Sequence, residues 1–284
     1  MAEQVDVRSA AGMIPPRAAG SRKGENGRVL VLGGSRIYHG APVLASLAAL
    51  RSGTDLVYAA VPGMIADPVR ALSPDLIVIP LADQKLTRGA AAKLLGALPV
   101  VDSAAVGMGM PSPDRGALAR LVRDLADRDV RTCLDAGALV PEVLDAAGGT
   151  CSVVTPHAGE FRRLFGEDPG SGEARERAVL GCARRHGVTV LLKGAEDVIS
   201  DGESVLCCRG GSPAMTAGGT GDVLAGLVAG LLSRCRRPLD AAAAAACINA
   251  AAGESVHARL GFHMAASDLV AELPAVMAPL DRVS

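Results

Sequence analysis

The sequence predicts an α/β fold in three layers, a mostly parallel sheet with helices on both faces. Two observations carry this. Short β-branched or apolar runs alternate with longer stretches of helical period, and several of the runs are apolar at every position, as strands buried on both faces must be. Glycines and polar residues gather just after those runs, where parallel α/β sheets hold their ligands.

The predicted strands are 29–32, 56–61, 76–80, 104–108, 130–134, 152–155 and 188–192, and the helices between them are 41–51, 87–98, 114–127 and 172–186. Segments 197–200 and 203–207 flank Asp201-Gly202, a hairpin signal, so a short antiparallel edge is expected there. Two long helices rich in small residues follow at 219–234 and 239–259, and Ser267-Asp268 caps a last short one. No repeat or linker divides the chain, so a single domain over 1–284 is expected, with 1–24 as its loose segment.

Composition excludes several roles. A formal net charge of −1 gives no bulk field toward nucleic acid or anionic lipid, and two Tyr, three Phe and no Trp leave no platform for stacking bases. The seven cysteines include no C-x-x-C pair and read as small core residues of a reducing compartment. No run approaches the roughly 20 apolar residues of a spanning helix, and the first residues lack the pattern of a secretory signal. The expectation is a soluble, cytoplasmic protein without nucleic-acid or membrane partners.

Five predicted strands end in polar or glycine-rich segments: Gly33-Gly34-Ser35-Arg36, Gly109, Asp135-Ala136-Gly137-Ala138-Leu139, Thr155-Pro156-His157-Ala158-Gly159-Glu160, and Lys193-Gly194-Ala195-Glu196-Asp197. A sixth segment, Gly218-Gly219-Thr220-Gly221-Asp222, opens the buried helix near Gly219. Its glycines allow close backbone approach and the helix start directs free N–H groups at an anion, so phosphate is the natural occupant. Neither a G-x-x-x-x-G-K-[ST] loop nor a G-x-G-x-x-G fingerprint occurs there. Asp222 has two readings, a first-turn charge favoured by the helix dipole or a base beside the phosphate.

The run Gly218–Gly226 resembles the G-T-G-D signature of the ribokinase-like superfamily. Within it, Gly33–Ala41, Asp135–Leu139, Thr155–Phe161 and 192–199 resemble the nucleotide-dependent NAD(P)H-hydrate dehydratases, over roughly residues 25 to 275. The resemblance implies a ribokinase-like α/β/α sandwich without a lid domain. It also implies dehydration of the S form of hydrated NADH or NADPH with ADP or ATP as co-substrate and Mg²⁺, releasing AMP or ADP and phosphate. It implies Asp222 as catalytic base at the substrate, Gly219, Thr220 and Gly221 as anion hole, and Ala41, Gly109 and His157 as substrate contacts. Lys193, Gly194, Ala195, Glu196, Asp197 and Gly221 would border the nucleotide, and Glu160 would hold magnesium through water. A homo-oligomer, up to a tetramer, and a separate epimerase as functional partner are implied as well.

Alternatives stand beside these. A small-molecule kinase acting on hydroxymethylpyrimidine, thiazole or a sugar is the alternative function, against which stands His157, because sugar and vitamin kinases of the superfamily usually carry Asn there while His-x-x-Glu resembles the dehydratases; a nucleotide-binding protein without catalysis is a third. His157 also reads as a cap for the helix after it, Asp135 as a cap for its own turn, and Lys193 as a solvated strand end. Arg36, Tyr38 and His39 face either a ligand or a neighbouring subunit.

Overall fold

The structure, a computed structural model, describes residues 2–284. β1 (Glu3–Val5) and α1 (Val7–Met13) precede β2 (Arg28–Leu32), α2 (Gly40–Arg51), β3 (Leu56–Pro62), α3 (Gly63–Leu72), β4 (Ile77–Leu81) and α4 (Arg88–Ala97). β5 (Ser103–Val106), α5 (Arg115–Ala126), β6 (Arg131–Leu134), α6 (Pro141–Ala147), β7 (Ser152–Val154) and α7 (Ala158–Phe165) continue the alternation. α8 (Gly172–His186) leads into β8 (Thr189–Leu192), β9 (Glu196–Ser200) and β10 (Val205–Arg209). α9 (Thr220–Leu232), α10 (Pro238–Leu260) and α11 (Ala266–Met277) complete the chain.

All strands join one ten-stranded sheet in the order β1-β10-β9-β8-β7-β6-β5-β2-β3-β4. Neighbours are parallel except where β9 pairs with β8 and β10. Successive side chains of a strand point to opposite faces, and both faces are buried: Val29 and Val31 of β2 pack under α2 and α9, whereas Leu30 and Leu32 belong to the core on the other face with Leu94 of α4 and Leu118 and Leu121 of α5. That is why the strands read as continuous apolar runs.

From β2 the chain winds outward through β3 and β4, then returns to place β5 on the other side of β2 and winds the opposite way. This reversal opens a crevice beyond the carboxyl ends of β2 and β5. Among the described residues no helix is long and apolar enough to cross a membrane.

Two expectations are corrected. The 197–207 hairpin is β9–β10, but β1 pairs in parallel outside β10, so the hairpin is not the edge of the sheet. The segment 1–24 is not loose over its described residues. Asp6 caps α1, Ala10 of α1 is fully buried, and Arg17 N–H donates to Arg282 O at 2.8 Å, tying the two chain ends together. The loop before β2 is pinned by Asp55, which accepts from the N–H groups of Gly24 at 2.8 Å and Asn26 at 3.1 Å. Helices α3 and α6 were not predicted; α3 opens on glycine and holds Pro68, both breakers, and α6 has only seven residues.

α9 is buried at every position from Val223 to Leu232. Gly226 lets it lie against α2 so closely that a β-carbon there would stand 2.1 Å from the Ala45 carbonyl oxygen. A substitution Gly226→Ala should therefore force α2 and α9 apart. We expect a loss of about 1–3 kcal/mol in unfolding free energy despite alanine's better helix propensity. The urea midpoint of the purified variant measures it, and an unchanged or higher midpoint would contradict the close approach.

Candidate active site

The predicted rim exists, and its parts are joined by hydrogen bonds across the strand ends. At the crevice, Gly34 N–H donates to Met108 O at 2.7 Å and Gly107 N–H to Leu32 O at 3.0 Å. Gly109 holds φ +69°, and a β-carbon on it would lie 3.1 Å from the Ala41 methyl group. Ala41 and Gly109, expected as substrate contacts, are thus neighbours across the crevice mouth. Arg36, Tyr38 and His39 are exposed beside them.

α9 begins at the same rim. Gly219 holds φ +98°, in the left-handed region that favours glycine, with Leu44 and Ala266 occupying the space of a β-carbon. The chain turns there into α9, whose Gly221 and Asp222 N–H groups have no acceptor among the described residues. Two free N–H groups and the dipole of a helix start have the donor geometry of an anion seat. Thr220 serves it indirectly: its hydroxyl donates to Met215 O at 2.7 Å and Ala217 O at 3.1 Å, which locks the loop before the helix and leaves the hydroxyl unavailable to an anion.

Beside the seat lies a cluster of charges. Lys193 Nζ is 2.9 Å from Asp135 Oδ1 and 3.8 Å from Glu160 Oε2, and it would stand 3.5 Å from a β-carbon on Gly221. Burial alone would lower the Lys193 pKa, but Asp135 and Glu160 outweigh it and raise the value. Lys193 is therefore no solvated strand end. Asp222 has no hydrogen-bond or ion-pair partner among the described residues. Burial, with the nearby charge of Asp135, pushes its carboxyl up to about 6, against an opposing pull from Lys193.

Lys193 and His157 face each other as a parallel bridge, with Lys193 N–H donating to Pro156 O at 2.8 Å. His157 caps α7: its Nδ1 accepts from Gly159 N–H at 3.0 Å and Glu160 N–H at 3.3 Å, while Glu160 Oε2 accepts from His157 N–H at 2.9 Å. This reciprocal capping box realises one of the two readings of His157. Since Nδ1 is an acceptor, the neutral ring carries its proton on Nε2, which lies 3.5 Å from Glu160 Oε2. Glu160 Oε1 is left without a protein partner.

The expected nucleotide border 193–197 is a tight turn with Gly194 and Ala195 exposed at its tip. Asp197 closes it by accepting from Gly194 N–H at 2.8 Å, and burial pushes its carboxyl up to about 6. The Glu196 side chain leaves the turn for Arg209, at 2.7 Å, so only its backbone remains at the border. Arg175 of α8 braces the turn from behind by donating to Leu192 O and Lys193 O.

Two residues of the cluster escaped the sequence reading. Asp135 stands in the sequence as the first residue of a dehydratase-like motif or as a cap of its own turn, but its side chain caps nothing; 3% exposed, it accepts from Thr155 Oγ1 at 2.8 Å as well as from Lys193. The available signal was an acid at the end of a buried strand on the ligand-bearing rim. Ala136 after it holds φ +49°, which costs an alanine roughly 1–2 kcal/mol. Thr155 sat in a quoted motif without a role.

Comparison with known proteins bears on the whole rim. A family model of NAD(P)H-hydrate dehydratases matches residues 29–275. This chain belongs to that family. It is 58% identical over 280 residues to the ADP-dependent (S)-NAD(P)H-hydrate dehydratase of Cenarchaeum symbiosum, covering 98% of this chain and 96% of that one. A bifunctional NAD(P)H-hydrate repair enzyme of Pyrobaculum aerophilum is 45% identical over 265 residues, 92% of this chain but 52% of the longer relative. In structure, the chain is similar to the ADP/ATP-dependent NAD(P)H-hydrate dehydratase of Bacillus subtilis co-crystallised with ATP/Mg²⁺. The TM-score is 0.85 at 25% identity, over 99% of both chains. The ribokinase-like fold expected of the family is present, with no lid domain among the described residues.

A raised carboxyl has a stability consequence whose sign is fixed. The folded state binds the Asp222 proton more tightly than the unfolded chain, so this contribution is fully present below the ordinary value of 3.8 and is lost as pH rises through about 6. Asp222→Asn removes that loss. Thermal midpoints should be higher than wild type at about pH 8, with the gain shrinking toward about pH 4. A variant less stable at the higher pH would contradict the unpaired, half-buried carboxylate.

Proposed function

We propose that this protein restores NADH and NADPH from their S-form hydrates, using an adenine nucleotide as phosphoryl donor and releasing AMP (or ADP) and phosphate. The observation that carries this reading is Asp222, an unpaired acid poised near neutrality beside an anion seat, on a chain of this family. Asp222 is the base that takes the proton of the ring hydroxyl as the terminal phosphoryl group moves onto that oxygen. The N–H groups of Gly221 and Asp222, at the turn made by Gly219, receive the phosphoryl oxygens. Phosphate then leaves with a proton from the neighbouring ring carbon, and the dihydropyridine returns. Ala41 and Gly109 bound the hydrate with small surfaces, His157 contributes its Nε2 edge, and the turn 193–197 borders the nucleotide.

No group of three metal-binding side chains exists among the described residues. Mg²⁺ asks for few protein ligands, since it binds chiefly through phosphates, waters and one or two carboxylates. Glu160 would hold it through water by its free Oε1, and the ion would offset phosphate charge. We place the protein in the cytoplasm as a homo-oligomer, with exposed Ile37 and Tyr38 at the crevice mouth available to a second copy, and with a separate epimerase converting the R-form hydrate.

Incubated with Mg²⁺, ADP or ATP and NADH hydrate, the protein should restore the near-ultraviolet absorbance of NADH. Asp222→Asn should lower kcat by about 10²-fold or more while binding nucleotide within a few-fold of wild type. Because the base must be deprotonated, wild-type turnover should fall as pH drops through about 6. Absence of recovery with either nucleotide would overturn the function, and full activity of Asp222→Asn would remove the base.

A further inference from the structure

We infer that Asp135 is the positioning residue of this site: it holds the Lys193 ammonium against the start of α9 and away from Asp222, so that the base stays unpaired. The inference rests on the dehydratase reading for what Asp222 does, and on geometry alone for what Asp135 does.

Lys193 stands among three carboxylates, Asp135 after β6, Glu160 in the first turn of α7 and Asp222 in the first turn of α9. Its contact with Asp135 is 2.9 Å, that with Glu160 is 3.8 Å, and Asp222 makes no ion pair. The preference is built in. Thr155 donates to the same Asp135 oxygen that receives Lys193, fixing the carboxylate's rotation. The Asp135 backbone is fixed as well, because its N–H donates to Val106 O at 3.1 Å and its carbonyl fills the space that a β-carbon on Gly107 would need. The ammonium therefore rests beside Gly221, next to the free N–H groups of the anion seat.

Without Asp135 this arrangement has no stable form. A lysine released from its closest partner, in a half-buried pocket holding two other acids, pairs with one of them. Asp222, which has no competing donor, is the open choice. A base neutralised by a lysine is weaker, and the ammonium also leaves the phosphoryl position. Asp135 thus acts through Lys193.

A double-mutant cycle tests this. With NADH hydrate, ADP and Mg²⁺, Asp135→Asn should lower kcat by about ten-fold or more while the KM for the hydrate stays within about three-fold. In a Lys193→Met background the same substitution should cost under about two-fold, because its target is gone. Losses that multiply independently would overturn the proposal. If Asp135→Asn does not fold, Thr155→Val takes its place in the cycle, with a smaller loss that again disappears when Lys193 is methionine.

A second measurement needs no substrate. Carboxyl NMR of protein carrying ¹³C-labelled aspartate follows the Asp222 titration, assigned with Asp222→Asn and separated from Asp197 with Asp197→Asn. The groups facing Asp222 are Asp135 and Lys193, with Glu160 behind the lysine. Asp135→Asn should move that titration downward, and further when Lys193 is present than in Lys193→Met. Equal movement in both backgrounds means that Asp135 acts only by its own charge and sinks the proposal. Should the wild-type protein fail to dehydrate the hydrate, the functional reading falls and this titration still judges Asp135.

Discussion

Gly226 of α9 against the Ala45 carbonyl, and Gly230 against Ser52, bring two helix backbones to a distance that side chains would prevent. Buried on every side from Val223 onward, α9 cannot slide or tilt without opening the core. Polar contacts fix it along its axis: Ser103 Oγ donates to Ala229 O at 2.6 Å, and Arg131 donates to Leu232 O at 2.9 Å near the helix C-terminus. The far end is thereby fixed as well, and that end carries the free N–H groups of the anion seat. Donors held in place need not reorient when charge develops beside them, and close packing some turns away is what holds these N–H groups.

The charge balance at the rim explains why the seat needs such placement. Asp135, Glu160 and Asp222 bring three carboxyl groups to one ammonium, in a place read as holding nucleotide phosphates. Two like charges about 4 Å apart cost roughly 4 kcal/mol at the effective dielectric of a protein surface. A helix start returns only about 0.3–1 kcal/mol, and up to about 2 in partly buried sites. The dipole therefore cannot offset the acids alone. Lys193 is engaged by two of them, and the remaining deficit is the physical case for a divalent cation arriving with the nucleotide.

Much of this was legible in the sequence, and what was not has particular causes. The alternation of runs revealed the sheet because strands buried on both faces leave no polar register to confuse with a helix. The strand ends revealed the rim because parallel strands all deliver their C-terminal residues to one side. β1 was not legible: Glu3 and Gln4 are exposed, and the strand exists because β10 offers a partner edge and Val5 reaches the core. Thr220 was placed correctly along the chain, but its hydroxyl direction depends on carbonyls of a loop whose shape no spacing encodes. The partner of Asp135 was not legible because an acid after a strand usually bonds its own turn, whereas here a lysine some sixty residues away competes successfully. Local patterns carry local preferences, and the charge cluster is assembled from four different strand or helix ends.

His157 realises its cap reading with one nitrogen and leaves the other free of that task. Capping a helix takes a single acceptor, and the imidazole supplies it with Nδ1, a role that the Oδ1 of an asparagine could also fill. An asparagine then has only its short amide left. The ring instead places Nε2, with its proton, further from the backbone and partly exposed at the rim, where 55% of the side chain remains open. Because Nδ1 is held by two N–H donors, the tautomer is set by the fold, and the outward nitrogen of the neutral ring is a donor. The helix cap itself thus fixes the polarity of the edge that His157 turns toward the rim.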